Sequence, residues 1–508
     1  MSASGAALDP IELQLMLGAL RAACEEMGAL LVHAAHSPNI KERRDASSAL
    51  FDAAGQMVMQ AEHIPVHLGA MPAAVAAVRG FRQTPGSAWI LNDPFAGGTH
   101  LPDITVISPA HHDGRLIGFA ATRAHHADVG GRTAGSMPAD SRTLAEEGVV
   151  IAPQQLDEAA IDRLTAQMRQ PAERRADLRA QLAANRIGAL RLAELAARLG
   201  ARPLAGALES VLDYAERRAR AAIAALGDGA RTARDVVEAR EGDLELVLRA
   251  TVDGDRLVLD FSGSAAQHEG NLNCPLAVTH SACYFAVRVL TDAATPPSAG
   301  AYRPLEIRVP EGSLLNARRP AAVAAGNVET SSRVADLVLA AFGRALGQGT
   351  MNNLTLGNDG FSYYETTGGG QGACPDADGP SAVHVAMSNT LNTPIEALEA
   401  YYPMRVTEYR MRRGSGGRGQ FAGGDGLVRE IECLVDSNVS LLTERRVLAP
   451  WGLAGGGNGA VGANFVVRKN GRRSKLPGKT NLDLAPGDRI RVETPGGGAW
   501  GRAPSSKP

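Results

Sequence analysis

Cysteine is scarce in this sequence and never closely paired: the five (Cys24, Cys274, Cys283, Cys374 and Cys433) form no C-x-x-C and no short doublet. That spacing excludes a disulfide framework and a zinc-thiolate knuckle, and it points to a reducing compartment, the cytoplasm. Neither sign of charge is in excess, since 52 Lys and Arg stand against 54 Asp and Glu for a formal net charge of −2. Such a chain has no global field for nucleic acid or an anionic membrane surface, so a small or neutral ligand is the expected partner. No stretch approaches the uninterrupted apolar length of a membrane span, and the start MSASGAALDPIELQ has no basic region followed by an apolar core. A soluble, unexported protein is expected. A phosphate-cradling G-x-x-x-x-G-K-[ST] loop is missing as well: GSGGRGQF lacks the lysine and hydroxyl pair, and TTGGGQG has no following basic residue.

With 508 residues, 44% of them apolar, the chain can bury cores for more than one domain. The pattern reads as a mixed α+β fold in four parts. Residues 1–152 form an N-terminal α/β region: a helix at 11–35 with Leu15, Leu17, Leu20, Ala23, Met27 and Leu31 on its inner face, a hairpin of ALFDA and QMVMQA, a helix at 68–79 and a strand SAWIL. Residues 153–228 are rich in Ala, Leu, Arg and Glu, which predicts two to four helices with charged outer faces. In 229–365, DLELVLRATVDGDRLVLDFSGS reads as strand, Asp-Gly turn and strand ahead of further mixed α/β structure. Residues 366–508 read as a β-rich C-terminal region whose glycine clusters, TTGGGQG, GSGGRGQFAGGDG, AGGGNG and TPGGGAWG, form tight loops between short strands.

The chemistry concentrates where GGTHLPDITVISP at 97–109 is followed by RAHHADVGG at 123–131. DITVISP and RLIGFAATRA flank AHHDG, so a hairpin centred between His112 and Asp113 is predicted, with His100 opposite His125 and Asp103 opposite Thr122. Strict extension would leave His100 and Asp103 about 10 Å apart, at roughly 3.3 Å per residue. Pro102 and Gly97-Gly98 supply a bend that lets His100 curl back toward Asp103. Two imidazoles and a carboxylate then converge at the open end of the hairpin, a donor set suited to Zn²⁺, Mn²⁺ or Fe²⁺. The same set is the facial triad of non-haem iron oxygenases, which keeps that class open. His111 and His112 need no ion, because a turn accounts for them. EHIPVH at 62–67 is no zinc-protease helix, since its glutamate precedes the first histidine and Pro65 interrupts the turn; it reads as a loop lining the pocket. IKERRDAS offers Glu42 and Asp45, from which a fourth, anionic ligand can come. Asp45, His126 and Asp128 are candidates for general base or for orienting a ligand imidazole. AGNVETSSRVAD reads as a polar loop before a helix, with Asn327, Glu329 and Arg333 suited to an amide or carboxylate, or with Thr330 or Ser331 simply capping the helix. Arg445 and Arg446 are expected in ion pairs on opposite faces of a strand.

Long blocks carry a family resemblance: SPNIKERRDASSALFDAAGQMVMQAEHIPVHLGAM, LNDPFAGGTHLPDITVISP, RAHHADVGG, DFSGSAAQHEGNLNCPLAVTHSACYFAVR, AGNVETSSRVAD, SNTLNTPIEALE and YYPMRVTEYRMRRGSGGRGQFAGGDGLVREIE. From about residue 10 to 501 the chain resembles the hydantoinase B family, which includes B subunits of ATP-dependent hydantoinases and lactamases, half of eukaryotic 5-oxoprolinase and the alpha subunits of acetone and acetophenone carboxylases. The resemblance implies a divalent metal at His100, Asp103 and His125, with Glu42 as a further ligand where relatives carry aspartate. It also implies ATP and Mg²⁺ on a separate hydantoinase A-type subunit, a hetero-oligomer of A and B dimers, and opening of a hydantoin, 5-oxoproline or lactam ring. Ketone carboxylation is the alternative chemistry, and a scaffold subunit with a structural metal is the alternative role.

Overall fold

The computed structural model describes residues 8–62, 64–292 and 294–503. Its first helix, α1 (Pro10–Ala34), begins at a reciprocal cap: the Asp9 carboxylate accepts from the Ile11 and Glu12 N–H groups, and Glu12 accepts from the Asp9 N–H. Leu13, Met16, Leu17, Leu20, Cys24, Met27 and Leu31 form its buried stripe. Leu15, expected in that stripe, is 70% exposed. It lies two residues from both Leu13 and Leu17, about 200° around the helix from each.

After a short helical turn, α2 (Pro38–Lys41), the chain builds a six-stranded antiparallel sheet. Its strands are β1 (Ala46–Asp52), β2 (Met57–Glu62), β3 (Trp89–Leu91), β4 (Asp103–His112), β5 (Arg115–His125) and β6 (Gln154–Gln155), in the order β2-β1-β5-β4-β3-β6. Side chains of β5 alternate between two cores, as a pleat of period two requires. Ala120 and Ala124 join α1, while Phe119 and Ala121 join Met71, Ala74, Val75 and Val78 of α3 (Ala70–Arg79). The helical section follows the turn α4 (Leu144–Glu147) and comprises α5 (Glu158–Thr165), α6 (Pro171–Leu199) and α7 (Ala201–Ala224). Rather than standing apart, α6 lies across α1, β4 and β5. Gly188 permits that approach, since a Cβ there would sit 2.4 Å from the Met27 sulfur and 2.8 Å from the Ala120 methyl.

A second sheet, β7 (Gly229–Val237), β8 (Leu244–Asp253), β9 (Arg256–Asp260) and β10 (Leu305–Arg308), packs with α8 (Leu276–Leu290) and α10 (Ser331–Ala341); the turn α9 (Ala299–Tyr302) lies between α8 and β10. The predicted β8–β9 hairpin is present. Two further sheets share one core. One orders β12 (Phe361–Glu365), β11 (Asn353–Asn358), β15 (Ser437–Leu442) and β18 (Lys479–Leu484); it therefore joins strands from both sides of the boundary expected at 365. The other orders β13 (Met404–Arg412), β14 (Gly426–Cys433), β19 (Arg489–Glu493), β16 (Ala463–Val467) and β17 (Arg473–Leu476), with α11 (Ile395–Tyr401) leading into β13.

The glycine clusters do more than turn between strands. Gly424 N donates to Gln371 O at 2.9 Å and Gly497 N to Gly424 O at 2.9 Å, so three loops lie backbone against backbone. A Cβ on Gly370 would meet Gly424 O at 2.0 Å, and one on Gly497 would meet Gln371 O at 2.0 Å. The glycines there provide contact between main chains. Among the described residues no helix is long and apolar enough to cross a membrane.

Candidate metal centre

The β4–β5 hairpin closes on Asp113-Gly114, both with positive φ (48° and 72°), the geometry that favours a two-residue turn with strand twist. This turn lies one residue later than expected, and a bulge between Ala110 and His111 shifts the pairing once more. Asp103, not His100, therefore faces His125, which corrects the predicted register. His100 sits in the loop before β4, where Gly97 turns the chain with φ 97° and His100 O accepts from Asp103 N at 3.1 Å. The curl expected from Pro102 and the glycines is present, and it brings His100 Nε2 to 3.3 Å from Asp103 Oδ2.

One ligand atom from each of His100, Asp103 and His125 lies within 4.8 Å of the others, and no other such group of three His, Cys, Asp or Glu occurs among the described residues. All three side chains are at most 2% exposed. Thr99 Oγ1 donates to Asp103 Oδ2 at 2.5 Å. His125 Nδ1 meets Asn39 Nδ2 at 3.1 Å, its ring stacks on Tyr364 at 4.2 Å and 6°, and His100 meets it edge-on at 5.0 Å. His67, which the sequence pattern places only in a lining loop, also reaches the cluster. It ends a 3-10 turn begun by Pro65, with Nδ1 on Ser47 Oγ at 2.9 Å and Nε2 at 3.6 Å from Asp103 Oδ2. His63 of the same segment lies outside the described residues.

Both ring nitrogens of His100, Nε2 of His125, Nε2 of His67 and Oδ2 of Asp45 are buried without a hydrogen-bond partner. Buried polar atoms without partners are costly, and a cluster of imidazoles around a carboxylate is what a divalent cation would satisfy. The residues present fit such an ion. Burial, helped by His100, holds the His125 imidazole well below the ordinary histidine range, and burial lowers His67 too. Neutral imidazole is the ligating form. Burial alone would raise Asp103, but the adjoining His100 and His67 outweigh it and hold the carboxyl well below the usual carboxylate range.

From the IKERRDAS segment, the carboxylate facing the cluster is Asp45. Burial pushes it up to about 7; Asp103 adds to the rise while Arg43 and His100 oppose it. Arg43 lies 3.8 Å from Asp45 Oδ2 and donates to Tyr364 O, Thr366 Oγ1 and Thr390 Oγ1. Glu42 is half-buried at the end of α2 and outside the three-residue group. His126 turns away, its Nε2 on Gln181 of α6 at 3.0 Å, and burial lowers it to about 4. Asp128 anchors its own loop, accepting from Gly130 N, Gly135 N, Ser362 Oγ and Arg169.

The segment expected as a polar loop before α10 is instead a buried π-helical turn, Gly326–Thr330, continuous with the helix. Its hydroxyls bond carbonyls, Thr330 to Leu272 O and Ser331 to Asn327 O, so neither caps the helix. Asn327 is buried, Glu329 accepts from Met351 N and Asn353 Nδ2, and Arg333 pairs with Glu444 at 2.8 Å. Arg445 forms the expected ion pair, with Asp235, whereas Arg446 binds Asn352 and Asn464; both follow β15 rather than lying in a strand.

A profile of the hydantoinase B/oxoprolinase family matches residues 9–503. The chain belongs to that family. It is 38% identical over 517 residues to a 5-oxoprolinase of Dictyostelium discoideum, covering 98% of this chain and 41% of that protein. It is 30% identical to a Pseudomonas sp. (strain NS671) protein provisionally named as the B component of a D-/L-hydantoinase, covering 99% of this chain and 91% of that one. The chain thus spans about two fifths of the 5-oxoprolinase and nearly all of the hydantoinase component. Among solved structures, an ATP-dependent caprolactamase from Pseudomonas jessenii superposes with a TM-score of 0.91 at 27% identity, over 98% of this chain and 93% of that one. The hydantoinase B fold therefore extends over the β4–β5 hairpin, the helical section and the C-terminal sheets together.

Proposed function

We propose that this chain is the metal-bearing half of an ATP-dependent cyclic amide hydrolase that opens a hydantoin, 5-oxoproline or lactam ring in the cytoplasm. The observation that carries the reading is the buried His100, Asp103 and His125 cluster, in which both His100 ring nitrogens and Nε2 of His125 lack hydrogen-bond partners, within a fold matching an ATP-dependent caprolactamase. ATP and Mg²⁺ would be bound by a hydantoinase A-type partner in a hetero-oligomer. A relative named as one component of a hydantoinase, and matched over 91% of its length, supports that division.

Amide resonance makes the ring carbonyl a poor electrophile, and phosphorylation of its oxygen on the partner, releasing ADP, removes that resonance. His100, Asp103 and His125 would hold one divalent cation, Zn²⁺ or Mn²⁺ ahead of Fe²⁺. When bound, the ion supplies Lewis acidity toward the carbonyl and toward water. Asp45 is the base in this reading. Its buried Oδ2, which has no hydrogen-bond partner, is placed to take a proton from the attacking water. The Asn39 amide lies on Nδ1 of His125; with its carbonyl oxygen turned to that nitrogen it would accept the Nδ1 proton and leave the Nε2 lone pair for the ion, while Thr99 donates to the Asp103 carboxylate. The carbon–nitrogen bond then breaks with the proton returned to nitrogen, leaving an acyl phosphate that a second water hydrolyses to carboxylate and free phosphate.

Burial of the cluster also favours a second reading, a structural ion in a scaffold protein, because a coordinatively closed site has no place for substrate. Elemental analysis and ATP-dependent ring opening by the copurified A and B complex, wild type against His125→Ala, separate the two. Loss of both metal and turnover, with the variant still folded and bound to its partner, is the expected result. Full activity from metal-free wild type would refute the proposal.

A further inference from the structure

The imidazole of His125 is held by a residue from a different sheet. Tyr364 on β12 lies parallel to it at 4.2 Å and 6°, with the phenol 2% exposed. Its hydroxyl donates to Asn353 Oδ1 on β11 at 2.9 Å. Asn353 Nδ2 donates to Glu329 Oε1 at 2.8 Å, and Glu329 also accepts from Met351 N at 3.1 Å. The main chain is pinned as well, because Arg43 Nη1 donates to Tyr364 O at 3.1 Å and its guanidinium lies 4.7 Å from the phenol centroid. A ring tethered at its backbone and at its hydroxyl cannot slide in its own plane. A parallel imidazole packed against it cannot swing about its Cβ–Cγ bond without losing that face.

We propose that Tyr364, fixed through Asn353 and Glu329, is a positioning residue that locks the His125 ring with Nε2 toward His100 and Asp103. The proposal rests on the reading of this cluster as a metal centre. It gives Glu329 and Asn353 a role beyond filling the interior, and it makes cation binding by the N-terminal hairpin depend on strands β11 and β12. Outer partners of a ligating histidine typically account for about 10- to 100-fold in metal affinity.

The test uses the full chain, with Zn²⁺ affinity measured by chelator competition and Co²⁺ as a spectroscopic probe of ligand geometry. Tyr364→Leu should weaken Zn²⁺ binding about 10- to 100-fold and change the visible Co²⁺ spectrum, while Tyr364→Phe, which restores the flat face, should recover most of both. Asn353→Ala and Tyr364→Phe should each cost a few-fold, and the double variant no more than either, since both cut the same tether. A folded Tyr364→Leu protein with wild-type affinity and spectrum overturns the proposal, as does a lowered thermal midpoint with no change in either metal readout. Should the leucine variant not fold, wild-type behaviour of Tyr364→Phe and Asn353→Ala together overturns the tether. Failure of the underlying reading is distinct: wild type and His125→Ala would then take up Zn²⁺ and Co²⁺ equally poorly.

Discussion

Glutamate 147 closes the turn α4 with no solvent exposure, and its carboxylate accepts from Val323 N at 3.1 Å, Ala324 N at 3.0 Å and Ser141 Oγ at 2.9 Å. Burial pushes its pKa from 4.5 up to about 7, even though these three donors pull it down. The folded state thus binds this proton more tightly than the unfolded chain. The stabilisation is fully present below pH 4.5, is lost as pH rises toward 7, and stays lost above it. A rise of about 2.5 units corresponds to roughly 3 kcal/mol at 1.36 kcal/mol per unit. Glu147→Gln mimics the neutral acid at every pH. Denaturant unfolding followed by circular dichroism between pH 4.5 and 8 should therefore show the two proteins within about 1 kcal/mol at the acid end. The glutamine variant should draw ahead by up to roughly 3 kcal/mol at pH 8. Asp45, Glu329 and Asp336, all buried and raised to about 7, slope the wild-type curve in the same direction, so the difference between the two curves is what isolates Glu147. Parallel curves across the range would refute the argument.

Asp45→Asn should retain the metal by elemental analysis yet slow ring opening by the A and B complex by about 10²- to 10⁴-fold; unaltered turnover would dismiss Asp45 as the base. Gly188→Ala drives a methyl into the Met27 sulfur and Ala120, which should cost about 1–3 kcal/mol in thermal unfolding while leaving Zn²⁺ uptake by the folded protein unchanged. An undiminished midpoint would mean that α6 moves off β5 without penalty.

Local patterns in the sequence are legible where the determinants are local. The α1 helix, the β1–β2 and β8–β9 hairpins and three helices between 153 and 228 follow from periodicity and turn residues. The β4–β5 register escapes such a reading because AHHDG holds two plausible turn centres and nothing in the string marks the bulge at Ala110. The loop reading of 326–330 fails for a different reason: Thr330, Glu329 and Arg333 are matched by Leu272, Asn353 and Glu444, partners too distant in sequence to be seen. The glycine clusters look like turns singly, and their packing on one another exists only once the C-terminal sheets have formed.

The candidate site divides along the same line. His100, Asp103 and His125 can be found because one hairpin and one bend bring them together, and an error in register changes which residue faces which without dispersing the cluster. His67, Asn39 and Tyr364 reach it from other elements, and only EHIPVH carries any signal, since a proline opening a tight turn can aim the next histidine inward. The division has a consequence for assembly. Strands β4 and β5 can pair early, because their turn is short and loop closure is cheap. Two fixing contacts await distant chain: Tyr364 must dock on His125, and Arg43 must find Thr366 and Thr390. Before those contacts form, the three donors are close but their rings are free to turn. A cation with strict geometry would therefore bind tightly only after the C-terminal sheets have closed over the N-terminal hairpin.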